Sequence, residues 1–354
     1  MSSLVIGNKT LDTPIVQGGM GVGVSRSGLA GAVAKQGGVG IISTAQIGYD
    51  EPEFEKDQPG TNLKAIKKHI QIAKEIAGGK GLVGVNVMVA LKHYREHVQA
   101  AVAAGADIVV CGAGLPLDLP ELVKDENGEK KAYIAPIVSS SRAAELILKR
   151  WDMKYNTTAD MLVVEGPEAG GHLGYSNEQL DDIESIGFDD IVRGVLEVKK
   201  TYEEKYGHKI AVVAGGGIYT REDADHIMAL GVDGIQVASR FVTTQECDAS
   251  EAYKNAYVNA KKEDIVIVKS PVGMPGRALN NAFIKRVSVQ KEPIKKCYLC
   301  LEKCKPAEVP YCITKALTDA VQGDVDNGLV FCGAKTYMID RISTVSEVMK
   351  ELAG

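Results

Sequence analysis

The segment EGPEAGGHLG, residues 165–174, sets one imidazole, His172, and two carboxylates, Glu165 and Glu168, among four glycines directly after the apolar run MLVV. Glycine-rich backbone packs no core, yet it lets the main chain approach a ligand closely while a neighbouring polar group points at it. A histidine in such a loop is mostly neutral at pH 7 and can take a proton from a carbon acid or orient a carbonyl. Glu168 can hold His172 in one tautomer or cap the following turn. The other five histidines carry weaker cases. His93 and His97 form an i, i+4 pair and His226 sits in a polar helical stretch, so solvated faces are expected, with no third ligand in sight for a metal.

A second concentration of reactive side chains lies in the last fifth of the chain. Cys297, Cys300 and Cys304 stand at C-x2-C-x3-C spacing and are followed by Cys312 and Cys332, whereas Cys111 and Cys247 are isolated. Thiols so grouped can ligate zinc or an iron–sulfur cluster, either of which needs four soft ligands converging. The spacing matches none of the common zinc or ferredoxin patterns. The stretch CLEKC equally suits one helical face, with its cysteines buried as small hydrophobes or left redox-labile.

Eight short β-branched runs would have to position these groups: PIVQ (14–17), VGIIS (39–43), LVGVNVMV (82–89), DIVVCG (107–112), YIAPIVS (133–139), MLVVEG (161–166), IAVVAGGG (210–217) and GIQVAS (234–239). Segments of helical spacing alternate with them, among them SGLAGAVAKQ (27–36), LKAIKKHIQIAKEIA (63–77), SRAAELILKRW (141–151) and TREDADHIMALG (220–231). Nearly continuous apolar strands are buried on both faces, as parallel strands under helices are. Eight such units over roughly 250 residues predict an α/β fold, a TIM (β/α)8 barrel with its active site at the carboxyl ends of the strands. A doubly wound sheet is the alternative. Its dinucleotide fingerprint is absent after the first strand, where Gly21 and Gly23 are followed by Arg26 in place of the third glycine.

The chain divides by this reading into a barrel (1–265), a segment that covers the active site or serves as a linker (266–296), and a Cys-rich helical C-terminal extension (297–354). Within the covering segment, SPVGMPGRALNN (270–281) offers Met274 and Arg277 as lining for a substrate channel. The segments ITKALTDAVQG and TVSEVMKELAG make residues 313–352 look helical and suit packing against the barrel or a neighbouring subunit, and a homo-oligomer is expected. Ser25 or Ser27 is expected to cap the first helix.

Glycine and small polar residues gather just after the strands, in GGMGVGVS (18–25), GAG (112–114), GPEAGGHLG (166–174) and GGG (215–217). Several loops thereby bring bare backbone to one rim, as a barrel that binds an extended ligand requires. In AGGGIYTREDA (214–224) a strand and glycine turn lead to Thr220 as N-cap, and IQVASRFV (235–242) ends the next strand in Ser239 and Arg240. The loops after strands seven and eight of such barrels commonly hold a phosphate through amides at a helix start, so a phosphorylated cofactor is expected.

The ordered series PIVQGGMG (14–21), GVNVM (84–88), EGPEAGGHLG (165–174), VVAGGGI (212–218) and GIQVASRF (234–241) resembles that of the nitronate monooxygenase family, also called 2-nitropropane dioxygenases, and of the flavin-dependent enoyl-ACP reductase II enzymes that share it. The resemblance covers about residues 10–285. It implies a TIM barrel with noncovalent FMN in its mouth and His172 as the catalytic residue. It further implies flavin contacts from Gly18, Gly19 and Met20, from Asn86, from Glu165 and Gly170, from Gly216 and Gly217, and from Gln236, Val237, Ala238 and Ser239. Position 165 is often glutamine in the nitronate enzymes; Glu165 departs toward the reductases. At position 239, serine replaces the more familiar threonine and keeps the hydroxyl.

Three functions stand open on these observations. An FMN-dependent nitronate monooxygenase leads. An NAD(P)H-dependent enoyl thioester reductase is the alternative, with LPLDLPELVKDENGEKK (115–131) shaping a site for an acyl chain on a carrier protein. A non-catalytic flavin-binding redox sensor would give the cysteines more importance than His172. The chain's 354 residues are 45% hydrophobic and 25% charged, ample for a large core. A net charge of −5 with scattered Lys and Arg argues against a nucleic-acid partner. The start MSSLVIGNKTLDTP lacks signal-peptide character and no run is long enough to span a bilayer, so a cytoplasmic protein without membrane contact is expected.

Overall fold

The computed structural model describes residues 3–354. Its strands are β1 (Leu4–Ile6), β2 (Lys9–Leu11), β3 (Ile15–Gln17), β4 (Val39–Ser43), β5 (Leu82–Met88), β6 (Ile108–Gly112), β7 (Tyr133–Val138), β8 (Met161–Glu165), β9 (Gly171–His172), β10 (Ala211–Gly215), β11 (Gly234–Val237), β12 (Ile265–Lys269) and β13 (Pro275–Leu279). Eight of them close into a parallel barrel in the order β10-β11-β3-β4-β5-β6-β7-β8. These are the eight apolar runs of the sequence, and the fold is a TIM barrel.

Alternation along each strand divides the apolar residues between two cores. Val16, Ile41, Val110, Val163 and Val213 meet inside the barrel. Ile42, Val85, Val109, Val164 and Trp151 face outward into the layer of helices. This double burial is why β4, β6 and β10 are buried at every position. The antiparallel hairpin of β1 and β2 adds Leu4, Ile6 and Leu11 to the inner cluster and so closes the lumen at the strands' amino ends.

The first helix, Ser27–Lys35, is capped neither by Ser25 nor by Ser27. The carboxylate of Asp248 accepts instead from the amides of Arg26, Gly28 and Leu29 at 2.8, 3.0 and 3.1 Å. Ser25 turns its hydroxyl to the amide of Met20, 2.8 Å away, and holds the first glycine loop. Thr220 does cap Arg221–Ala229, in a capping box closed by Asp223.

The stretch after the barrel is ordered secondary structure. β12 and β13 form a hairpin, and β13 pairs in turn with β9, setting Gly276 opposite His172 and Arg277 opposite Gly171. β12 begins at Ile265, so the boundary drawn at 265/266 falls one residue inside it. The C-terminal helicity is confined to Ile313–Gln322 and Val345–Ala353, with only a short turn, Thr336–Met338, between them. Gly323, at φ +112°, stops the first of these helices. The last packs on Ser27–Lys35 and Arg221–Ala229, and so on the barrel wall. Among the described residues no helix is long and apolar enough to cross a membrane.

Candidate active site

The inward rows of the barrel do not stay apolar to their ends. Met161 and Val163 face the lumen, and two residues on comes Glu165; Ile41 is followed by Ser43, Val110 by Gly112, and Ile137 by Ser139. Ser43, Gly112, Ser139 and Glu165 all line a cavity of about 380 Å³ at the carboxyl ends of the strands. That volume falls in the range of small-molecule and cofactor sites.

His172 lines the cavity from β9. Its Nε2 lies 2.7 Å from the hydroxyl of Ser270, which also accepts from the amide of Val272 at 3.3 Å. The ring meets Phe331 edge-on, at 4.9 Å between centroids. Burial brings the imidazole pKa down to about 4, because nothing beside it repays the desolvation of a cation. Glu165 shows the converse: burial without a counter-charge pushes its carboxyl up to about 8. At pH 7 the two ionisable groups therefore stand neutral, the imidazole as free base and the carboxyl protonated. The phenol of Tyr175 donates to the backbone oxygen of Glu165 at 2.8 Å and fixes the end of β8.

Several expected roles are corrected. Glu168 does not orient His172; its side chain lies over Gly217 and its carbonyl accepts from the amide of Ala334 at 3.0 Å. Ser270 is the partner. Arg277 lines no channel. It is 4% exposed, and its guanidinium donates to the carbonyls of Pro167, at 2.7 Å, and Ala169, clamping the loop that carries His172. Met274 does line the cavity. His97 is buried, not solvated, with Nδ1 3.1 Å from the hydroxyl of Thr44. Among the described residues no three His, Cys, Asp or Glu side chains are placed to hold a metal ion.

Of the residues expected around a flavin, Gly19, Met20, Asn86, Glu165, Gly170, Ala238 and Ser239 line the same cavity as His172. Gly18, Gly216, Gly217, Gln236 and Val237 are not among its lining residues. The amide of Gly18 donates to the carbonyl of Val237 at 2.9 Å, and Gln236 packs against Gly18 and Gly215. Gly216 and Gly217, at φ +109° and +79°, turn beneath residues 166–169. Tyr253, Tyr257, Phe331 and Gly333, which belong to none of the glycine-rich motifs, also line the cavity. Phe331 and Gly333 lie in the run GLVFCG, a strand-like segment inside a region read as helical. The tyrosines carried no local signal.

The walls fit FMN. Bare backbone at Gly19, Gly21, Gly112, Gly170 and Gly171 leaves room for a flat ring system, and a Cβ at Gly19 would fall 2.4 Å from the Asn86 side chain. Among the described lining residues there is no Lys or Arg. A phosphate there would rely on amides and hydroxyls, such as the hydroxyl of Ser239, which already accepts from the amide of Gly333 at 3.0 Å.

A closed parallel barrel whose cavity opens at the carboxyl ends of its strands, with an imidazole and a carboxyl in the wall, has the architecture of a TIM-barrel enzyme. Residues 2–354 match the nitronate monooxygenase family model, and the chain belongs to that family of flavin-dependent oxidoreductases. A probable nitronate monooxygenase of Staphylococcus aureus strain MSSA476 is 26% identical over 305 residues, 79% of this chain and 78% of the relative. The protein of the same description in strain JH9 is 23% identical over 299 residues, again 79% of this chain and 78% of the relative. Among solved structures, FabK from Thermotoga maritima has a TM-score of 0.70 at 24% identity, over 97% of this chain and 92% of that one. Nitroalkane oxidase from Streptomyces ansochromogenes has a TM-score of 0.70 at 20% identity, over 97% and 95%. These structural likenesses concern the fold.

Proposed function

We propose that the chain oxidises alkyl nitronates with dioxygen, using FMN held in the barrel mouth and His172 as the catalytic residue. The observation that carries this reading is the neutral pair in the cavity wall. An imidazole with a pKa near 4 is a weak base at pH 7, poorly matched to pulling a proton from carbon. A nitronate has already lost that proton and asks only for hydrogen-bond donors. With Val272 donating to the oxygen of Ser270, we assign the hydroxyl proton to Nε2 and the ring proton to Nδ1, which makes Nδ1 a donor. The protonated carboxyl of Glu165 is a second neutral donor. When bound, FMN supplies the redox chemistry, accepting electrons from the substrate and passing them to dioxygen. The contacts to it would fall to Gly19, Met20, Asn86, Glu165, Gly170, Ala238 and Ser239, with Gly18, Gly216, Gly217, Gln236 and Val237 shaping the loops next to them. Residues 1–265 would act as the catalytic barrel, 266–296 as its cover and 297–354 as a C-terminal extension that adds Leu317, Phe331 and Gly333 to the cavity wall, in a cytoplasmic homo-oligomer that takes a small-molecule substrate.

One observation favours a second reading. Glu165 stands where the resemblance to nitronate enzymes often implies glutamine and departs toward an enoyl thioester reductase, which would draw hydride from NAD(P)H and accept an acyl group from a carrier protein. Leu115, from the stretch expected to shape an acyl site, lines the cavity. Steady-state assays separate the two. Oxygen uptake with propyl-2-nitronate and no nicotinamide is the expected result. NAD(P)H consumption that depends on a crotonyl thioester would replace this reading with the second, and inertness toward both would leave a flavin-binding sensor.

A further inference from the structure

A second hollow, of about 300 Å³, lies outside the flavin cavity, and Cys297, Cys300, Cys304 and Cys312 all line it. Ile294, Leu301, Pro306 and Ile313 supply much of the rest of its wall. All four cysteines are free of disulfides; Cys297 is exposed and the other three are half-buried. They surround this space without converging on a point, since no three of them share a metal-ion site. A single zinc ion requires its thiolates about 2.3 Å from one centre. An iron–sulfur cluster is itself a body of several atoms and takes one thiolate at each iron corner, so its four cysteines stand apart around a hollow. Three ligands from one short loop and a fourth from a helix start would grip such a body from two sides.

We propose that Cys297, Cys300, Cys304 and Cys312 hold a cubane [4Fe–4S] cluster in this hollow. The loop that carries the first three is pinned to the barrel rim: the carbonyl of Cys300 accepts from the amide of Lys92 at 3.1 Å, and the amide of Glu302 donates to the carbonyl of Ala90 at 3.0 Å. Residues 90–92 lie just past Val89 at the end of β5, which delivers Asn86 and Met88 to the flavin cavity. Cys312 directly precedes the helix Ile313–Gln322, and Leu317 on that helix lines the same cavity. Five residues separate Cys312 from Leu317, a rise of about 7.5 Å along the helix axis. The cluster thus lies beside the flavin site. The assignment does not depend on which substrate that site takes.

Full-length protein purified without oxygen and reconstituted with ferrous iron and sulfide is expected to hold about four iron and four acid-labile sulfide per chain. Cys300→Ala and Cys304→Ala should each lower both contents at least roughly fivefold while FMN per chain and circular dichroism stay constant, since each variant lacks one of the four corner ligands. Cys247→Ala, buried elsewhere, should load like the parent. Reconstituted parent without iron and sulfide, about one zinc per chain without sulfide, or undiminished loading in Cys304→Ala would each overturn the proposal. Should the alanine variants fail to fold, iodoacetamide labelling of the parent decides. Protection of these four cysteines in reconstituted over cluster-free protein supports the assignment, and equal labelling overturns it.

Discussion

At the amino ends of its strands the barrel is sealed by Leu4, Ile6 and Leu11, which meet Val39, Leu82 and Met161 inside. At the carboxyl ends the same inward rows finish in Ser43, Gly112, Ser139 and Glu165, under a loop that hangs His172 on the β12–β13 hairpin. One end gains stability by removing apolar surface from water. The other gives some of it up, because a carboxyl and an imidazole are held out of water in forms that neither prefers when exposed. A barrel can carry that cost because its closed lower half is independent of what the mouth contains. The division between the two ends can be broken from either side.

The largest effect belongs to the mouth. His172→Ala should retain yellow, FMN-loaded protein while kcat falls by roughly 10²–10³, the loss expected when one positioned hydrogen-bond donor is removed. Loss of flavin with unchanged activity per bound FMN would make the histidine structural. At the sealed end Ile6, fully buried, should behave in the opposite way. Ile6→Ala is expected to cost about 2–5 kcal/mol in urea unfolding and to leave kcat per folded molecule intact. An effect on turnover there would show that the two ends are coupled.

Arg277→Met tests the clamp between cover and catalytic loop. Leaving the carbonyls of Pro167 and Ala169 without their donor should cost about 1–3 kcal/mol and lower kcat together with stability. Unchanged turnover at reduced stability would detach the clamp from His172.

Proton linkage sharpens the contrast within the mouth itself. Glu165 has a folded pKa of about 8 against an ordinary 4.5, so the folded state binds the extra proton between those values and stability falls as pH rises through the window. His172 has a folded pKa of about 4 against 6.5, so the unfolded state binds the extra proton and stability falls as pH drops from 6.5 toward 4. Glu165→Gln should remove the alkaline loss, up to about 1.4 kcal/mol per pH unit, without touching the acid one. Melting curves from pH 5 to 8 that keep the parent's slope would show that the carboxyl is ionised in the folded protein. The smallest change is expected from Ser270→Ala, which removes one hydrogen bond worth about 1 kcal/mol and should lower kcat about fivefold. No change in kcat would mean that His172 is held by Phe331 and the β9–β13 pairing alone.

The sequence by itself determined the barrel. Eight apolar runs between helical segments are local patterns, and the alternation within a run already decides that Glu165 shares a face with Met161 and Val163. It marked the glycine loops too, because bare backbone after a strand is visible without neighbours. It determined neither Ser270 as the partner of His172, 98 residues away, nor Asp248 as the cap of the first helix, 222 residues from Arg26. The tertiary structure alone decided those contacts, and with them that Arg277 clamps a loop instead of lining a channel. The reason is physical: a hydrogen bond across the fold leaves no periodicity in the chain, and its members become recognisable only once packing has excluded water and left each with one partner in reach.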